Sequence, residues 1–225
     1  DDDSHGLTIS ETGNNDGSGN LLTTEAGSSS TFTVVLNAQP TDTVTVSITG
    51  LDTTENSLDT DTLSFSTANW NTPQTVTVTG VDDNLVDGDI TTTLTATASN
   101  TGGYTGTEST TTTVKNTDDD TYGITIAQTG STSGSDLLTT EAGSSTTFTV
   151  VLDAQPTANV TVSITGLDTT ENSLSTDTLT FTTANWNTPQ TVTVTGVDDT
   201  LVDGDITTTL TATASNTGGY AGTES

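Results

Sequence analysis

Apolar and polar residues alternate along most of this chain with a period of two. In Thr31-Phe32-Thr33-Val34-Val35-Leu36, residues Phe32, Val34 and Leu36 fall on one face. The runs Thr43–Thr49 and Gln74–Thr79 alternate strictly, and Ile90, Leu94, Ala96 and Ala98 share a face. With Leu7–Ser10, Thr62–Ser66 and Thr110–Val114, the pattern predicts about seven strands in roughly 116 residues, the spacing of a β-sandwich. No stretch has the period of a helix.

The pattern then repeats. Leu21–Ser109 aligns without a gap to Leu137–Ser225, and 80 of the 89 positions are identical. Two tandem sandwiches follow, residues 1–117 and 118–225. The second has no counterpart of Thr110–Thr117 and is expected to lack its last strand. Asp1-Asp2-Asp3 matches Asp118-Asp119-Asp120, so the chain reads as a window on a longer tandem array.

Composition changes the picture in two ways. Threonine occurs 63 times in 225 residues, and the net charge is −29 with Lys115 as the only Lys or Arg. Few large apolar residues and a high charge would suit a disordered chain, but the alternation assigns threonine to the outer face of strands, where a β-branched polar residue fits. One basic residue leaves no footprint for nucleic acid or an anionic membrane. No apolar run reaches the roughly 18 residues of a membrane span, and the absence of cysteine removes disulfides and thiolate metal sites.

Strand parity turns the charge into a local feature. In an antiparallel sandwich successive loops alternate between two poles. One pole receives Asp16, Glu25, Asp52, Glu55, Asp59, Asp61, Asp82, Asp83, Asp87, Asp89 and Asp118–Asp120. The other receives Asp42 and Glu108, with Pro40, Trp70, Pro73 and Tyr104. Two carboxylates ~5 Å apart repel by roughly 3 kcal/mol at an effective dielectric of 20. Calcium, which takes several oxygen ligands, suits such a crowd better than magnesium or zinc. Asp83–Asp89 does not have the spacing of an EF-hand loop.

Thr24-Glu25-Ala26-Gly27 before a strand, Gln74–Asp83, Asp87-Gly88-Asp89 and the terminal Asp118–Asp120 together resemble Calx-beta domains. Phe65 through Asn69-Trp70-Asn71-Thr72-Pro73-Gln74 and on to Asp83 is similar to Calx-beta-like repeats of large bacterial surface proteins. The resemblance implies an all-β fold of two tandem seven-stranded immunoglobulin-like sandwiches with calcium at the distal loops. By position it implies ligands at Glu25, a loop acid for which Asp52 is set against Asp59 and Asp61, Asp82, Asp83 and Asp118, Asp119 and Asp120. Asp87 and Asp89 stand where the family places glutamates. The second copy supplies Glu141, Asp168, Asp198, Asp199, Asp203 and Asp205.

Catalysis has little material. His5 is the only histidine and aligns with Tyr122, so a Ser–His–Asp arrangement cannot recur in both copies. Trp70 and Trp186 are read as loop anchors. The expectation is a non-enzymatic, calcium-stabilised repeat of a bacterial cell-surface or extracellular protein. It would act as a rigid extender of an adhesin, partnered by neighbouring repeats, with calcium where one repeat meets the next. The alternative is a subunit that assembles with other copies into a filament, sheath or surface layer.

Overall fold

Residues 4–202 and 204–222 are described by a computed structural model, and every regular element among them is a β-strand. They divide into two compact units, Asp1–Asp83 with Asp87–Asp119, and Asn84–Val86 with Asp120–Ser225.

The first unit contains β1 (Leu7–Glu11), β2 (Asn20–Thr24), β3 (Ser29–Leu36), β4 (Val44–Thr49), β5 (Asn56–Leu58), β6 (Thr62–Phe65), β7 (Gln74–Gly80), β8 (Ile90–Ala98) and β9 (Ser109–Thr117). One sheet has the order β1-β3-β7-β5 and the other β2-β9-β8-β4-β6. This is an immunoglobulin-like sandwich, with two strands more than the alternation predicts. β5 is only three residues long, and β2 lies in what reads as a loop. β2 pairs in parallel with β9, from Asn20 against Thr113 to Thr24 against Thr117, while β8 and β9 are antiparallel.

The alternation has the expected cause. β3 is buried at every second residue, placing Phe32, Val34 and Leu36 inside with Val44, Val46, Phe65, Val76, Val78, Leu94 and Val114. The outer face carries threonine opposite threonine, as in Thr31 against Thr77 and Thr33 against Thr75. Such cross-strand pairs each add a few tenths of a kcal/mol, roughly, in return for little buried area. Tyr104 is buried, and its hydroxyl donates to Ala38 O at 3.0 Å. His5 stacks on the Tyr104 ring with centroids 4.5 Å apart. Trp70 packs on the core edge, and its carbonyl accepts from Leu36 N.

The second unit repeats much of this with β10 (Ile124–Gln128), β11 (Thr132–Ser133), β12 (Asp136–Leu137), β13 (Ser145–Leu152), β14 (Val160–Thr165), β15 (Asn172–Leu174), β16 (Thr178–Phe181), β17 (Gln190–Gly196) and β18 (Thr211–Ala214). Its first sheet, β10-β13-β17-β15, matches that of the first unit. Its second sheet is only β16-β14-β18, and β11 pairs with β12 in a separate hairpin. Among the described residues of this unit no strand corresponds to β9, and β18 spans four residues where β8 spans nine. Tyr122 and Tyr220 stack as His5 and Tyr104 do, with centroids 4.7 Å apart.

Candidate metal centre

Backbone hydrogen bonds gather four segments of the first unit at one end of the sandwich. Glu25 N donates to Thr117 O at 3.1 Å, and Val81 N donates to Glu55 O at 2.9 Å. Gly88 N donates to Asp118 Oδ2 at 2.7 Å. The loops after β2, β4 and β7 and the segment after β9 therefore converge. Gly80 makes this close approach feasible, since a Cβ there would run into Thr24 O and Asn116 Oδ1. At the other end Thr41 N donates to Gly102 O and Gln39 Nε2 to Thr67 O, which joins the remaining loops.

Carboxylate oxygens of Glu55, Asp83 and Asp87 lie within 4.8 Å of one another, and those of Glu25 and Asp83 are equally close. Asp83 is thus common to two acidic groupings, one with Glu55 and Asp87 and one with Glu25. Glu25 is 2% exposed and Glu55 4% exposed, unusual for carboxylates. Glu25 Oε2 is buried and has no hydrogen-bond partner among the described residues. Burial, then the charges of Asp118, Asp83 and Asp87, pushes Glu25 up to about 7 against a lowering backbone hydrogen bond from Asp119. Burial likewise raises Glu55, with Asp87 and Asp83 adding to it and the Asn116 amide opposing. Asp87 is raised by burial and by Asp83 and Asp118.

A buried amide network supports these acids from below. The Thr23 hydroxyl lies 2.9 Å from Oδ1 of both Asn56 and Asn116, donating to one at a time. Asn116 Nδ2 donates to Glu55 Oε2 at 3.4 Å. Thr23, Asn56 and Asn116 are all buried, so the site rests on residues from β2, β5 and β9.

The other candidates make contacts of their own, and Asp118 and Asp119 stay close enough to Glu25 to act on it. Asp52 closes its own loop, accepting from Thr54 N at 3.0 Å and Thr54 Oγ1 at 2.6 Å, and these bonds hold it below the usual carboxylate range. Glu55, three residues on, is the acid of that loop that joins the group. Asp59 accepts from Thr77 N at 2.9 Å and Asp61 O accepts from Ile48 N. β5 has by then carried the chain back along β7, so parity misplaces both. Asp16 bonds Ser18 N and Asn20 within its own loop, one β2 length from Glu25. Asp89 is paired with Lys115 Nζ at 2.6 Å and accepts from Asp118 N. Asp82 and Asp119 are exposed, Asp118 is half-buried, and Asp120 belongs to the second unit.

In the second unit Asp168 repeats the Asp52 loop, accepting from Thr170 N and Oγ1. Thr139 Oγ1 donates to Asn172 Oδ1 at 2.8 Å, as Thr23 does to Asn56. Yet Glu141, Asp198 and Asp205 are exposed, Glu171 is half-buried, and Asp199 accepts from Leu201 N. Asp203 lies outside the described residues. The sequence patterns are the same, but the acids are not buried together.

Asp83 thus faces Glu55 and Asp87 on one side and Glu25 on the other, with no basic residue to neutralise them, since Lys115 is paired with Asp89. An oxygen-rich set containing a buried, unbonded oxygen is chemically suited to a hard cation such as calcium. No nitrogen or sulfur donor joins it that would favour zinc.

No protein-family model matches the chain, and no curated protein does. Solved structures with a likeness include CBD12 from CALX1.2, 18% identical over 80% of this chain and 74% of that one, with a TM-score of 0.36. A protein of unknown function from Porphyromonas gingivalis W83 is 10% identical, covering 85% and 83%, with a TM-score of 0.35. The YadV chaperone is 11% identical, covering 96% of each chain, with a TM-score of 0.36. At these scores the case for function rests on the carboxylates themselves. No helix among the described residues is long and apolar enough to cross a membrane.

Proposed function

We propose that this chain is a calcium-stabilised, non-catalytic structural repeat of an extracellular or bacterial cell-surface protein, serving as an extender module of an adhesin. The buried, unbonded Glu25 Oε2 beside Asp83 carries the metal reading. Glu25, Glu55, Asp83 and Asp87 would hold the ion. Bound there, calcium supplies positive charge and fixes the loops after β2, β4 and β7 to one another. The chain's own residues do the rest: Asn116 and Thr23 orient the acids, and Gly80 admits the backbones to close range.

Repetition supports the structural role. The two copies differ at few positions, with no divergent set of loops of the sort a tuned receptor site would need. His5, the only histidine, lies in tilted contact with the Tyr104 ring. A second reading is assembly of copies into a filament, sheath or surface layer. Electron microscopy with and without calcium separates the two, since isolated particles favour the extender and regular fibres favour assembly.

The direct test is calorimetric. Calcium at 100 times its dissociation constant should stabilise the first unit by about 2.7 kcal/mol. Asp83→Asn, which touches the shared carboxylate, should abolish most of that shift. Identical melting in calcium and in chelator would sink the proposal.

A further inference from the structure

In the first unit β1 runs antiparallel to β3, and the Gly6 carbonyl accepts from Asn37 N at 2.9 Å just past the end of β3. The chain therefore enters this unit at the end opposite the acidic loops. It leaves after Thr117, whose carbonyl accepts from Glu25 N at 3.1 Å within the acidic end. Tension along the chain thus draws β1 and β2 one way and β9 the other. β2 and β9 are parallel neighbours, in register from Asn20–Thr113 to Thr24–Thr117. Parallel strands drawn from opposite ends slide along each other, so their evenly spaced cross-strand bonds are loaded together rather than in turn.

We infer that the β2–β9 pair is a shear clamp, the element through which this unit carries tension along its own length. The inference deepens the extender reading and rests on it for its purpose. Polar side chains lock the pair on both faces. On the outside, Thr113 Oγ1 donates to Asn20 Oδ1 at 2.6 Å and Thr117 Oγ1 donates to Thr23 O at 3.3 Å. On the inside, the Thr23 hydroxyl lies 2.9 Å from Asn116 Oδ1. Leu21, Thr23, Val114 and Asn116 are all buried. Side chains alternate between the faces, so a slip of one residue would turn the wrong set inward and break each of these bonds.

β1 leads its load to the same strand. Thr112 Oγ1, on β9, donates to Glu11 Oε1 at the end of β1 at 3.0 Å. Beyond Glu11 the chain passes through residues 12–19 before β2 begins. That length lets β1 come away while β2 stays in place, so the β2–β9 pair bears the load last.

The test uses the full chain in chelator, so its failure and that of the calcium reading are separate results. The chain has no cysteine, so thiol handles attach only where they are placed. Handles at Ser4→Cys and Thr121→Cys load the clamp in shear. Handles at Ala26→Cys and Thr121→Cys, just past the matching ends of β2 and β9, open it one residue pair at a time. In single-molecule force spectroscopy at equal load, the first geometry should keep the unit folded at least about tenfold longer, since survival under force is set by the unfolding rate. Thr113→Val keeps the β-branched shape and should shorten the shear lifetime about threefold or more. Ser99→Ala, which removes an acceptor for Thr45 N on β4, should lower stability in urea and leave the shear lifetime unchanged. Equal lifetimes in the two geometries overturn the proposal. So does a Thr113→Val lifetime equal to that of the parent chain, or a shear lifetime shortened as much by Ser99→Ala as by Thr113→Val.

Discussion

Glu25 and Glu141 sit in the same tetrapeptide, Thr-Glu-Ala-Gly, and share almost every neighbour in sequence. One is sealed from solvent and the other is exposed. Leu21 is fully buried, whereas its equivalent Leu137 is half-buried. β8 runs for nine residues from Ile90, whereas its equivalent keeps only Thr211–Ala214. The first sheet keeps its strand order in both units, although in the first unit β9 reaches it where Thr112 Oγ1 donates to Glu11 Oε1 at 3.0 Å. Among the described residues the two units differ most around β9. Loop sequence supplies the acids, and in the first unit Glu25 and Glu55 are buried beside β9 and its Asn116.

The largest test of this comparison is to spoil β9 where it exists. Val114→Asp places a charge at a fully buried position and should destabilise the first unit by about 4 kcal/mol or more. Hydrogen exchange at Thr91–Leu94 should then resemble that at Thr207–Leu210. If the first unit instead keeps Glu25 protected, β9 is not what closes it.

A second test follows from protonation. Glu25 is held above its ordinary value, so its contribution is present below pH 4.5 and lost as the pH rises to about 7. Without metal, the first unit should lose on the order of 3 kcal/mol across that window. Glu25→Gln should flatten the profile measured by urea denaturation, while the same change at the exposed Glu141 should leave it as it was. A profile unaltered by Glu25→Gln would mean that its carboxylate is not buried in solution.

Asn116→Ala should cost the first unit about 1–3 kcal/mol, because Thr23 and Glu55 lose a buried partner. The second unit should melt unchanged. The smallest effect belongs to Lys115→Gln, a shift of about a degree in Tm that vanishes in high salt, because the pair with Asp89 is partly exposed. A large effect would show that this pair, rather than Val114, holds β9 in place.

The strands and the acidic end were legible because period two and loop parity are local or nearly so. Phe32, Val34 and Leu36 could be assigned inward from six residues. β2 was not legible, since Asn20-Leu21-Leu22-Thr23-Thr24 has no alternation long enough to mark it, and its partner lies some ninety residues away. Missing β2 placed Asp16 beside Glu25. Missing β5 kept Asp59 and Asp61 at the acidic end and left Glu55 in the background. What singles out Glu55 is the buried Asn56 beside it, and burial of a polar side chain is a tertiary fact that no neighbouring residue announces. The contrast between Glu25 and Glu141 lies further still beyond local reading, because their surroundings in sequence are the same.

The parallel pairing of β2 with β9 also orders events in time. Residue 20 meets residue 113 only after nearly the whole repeat has been made. During synthesis β1, β3 and β7 can assemble early, but β2 must wait for the last strand before it has a permanent place. The acidic end of the first unit thus closes last, after an interval in which the rest of that unit can be folded yet unlatched.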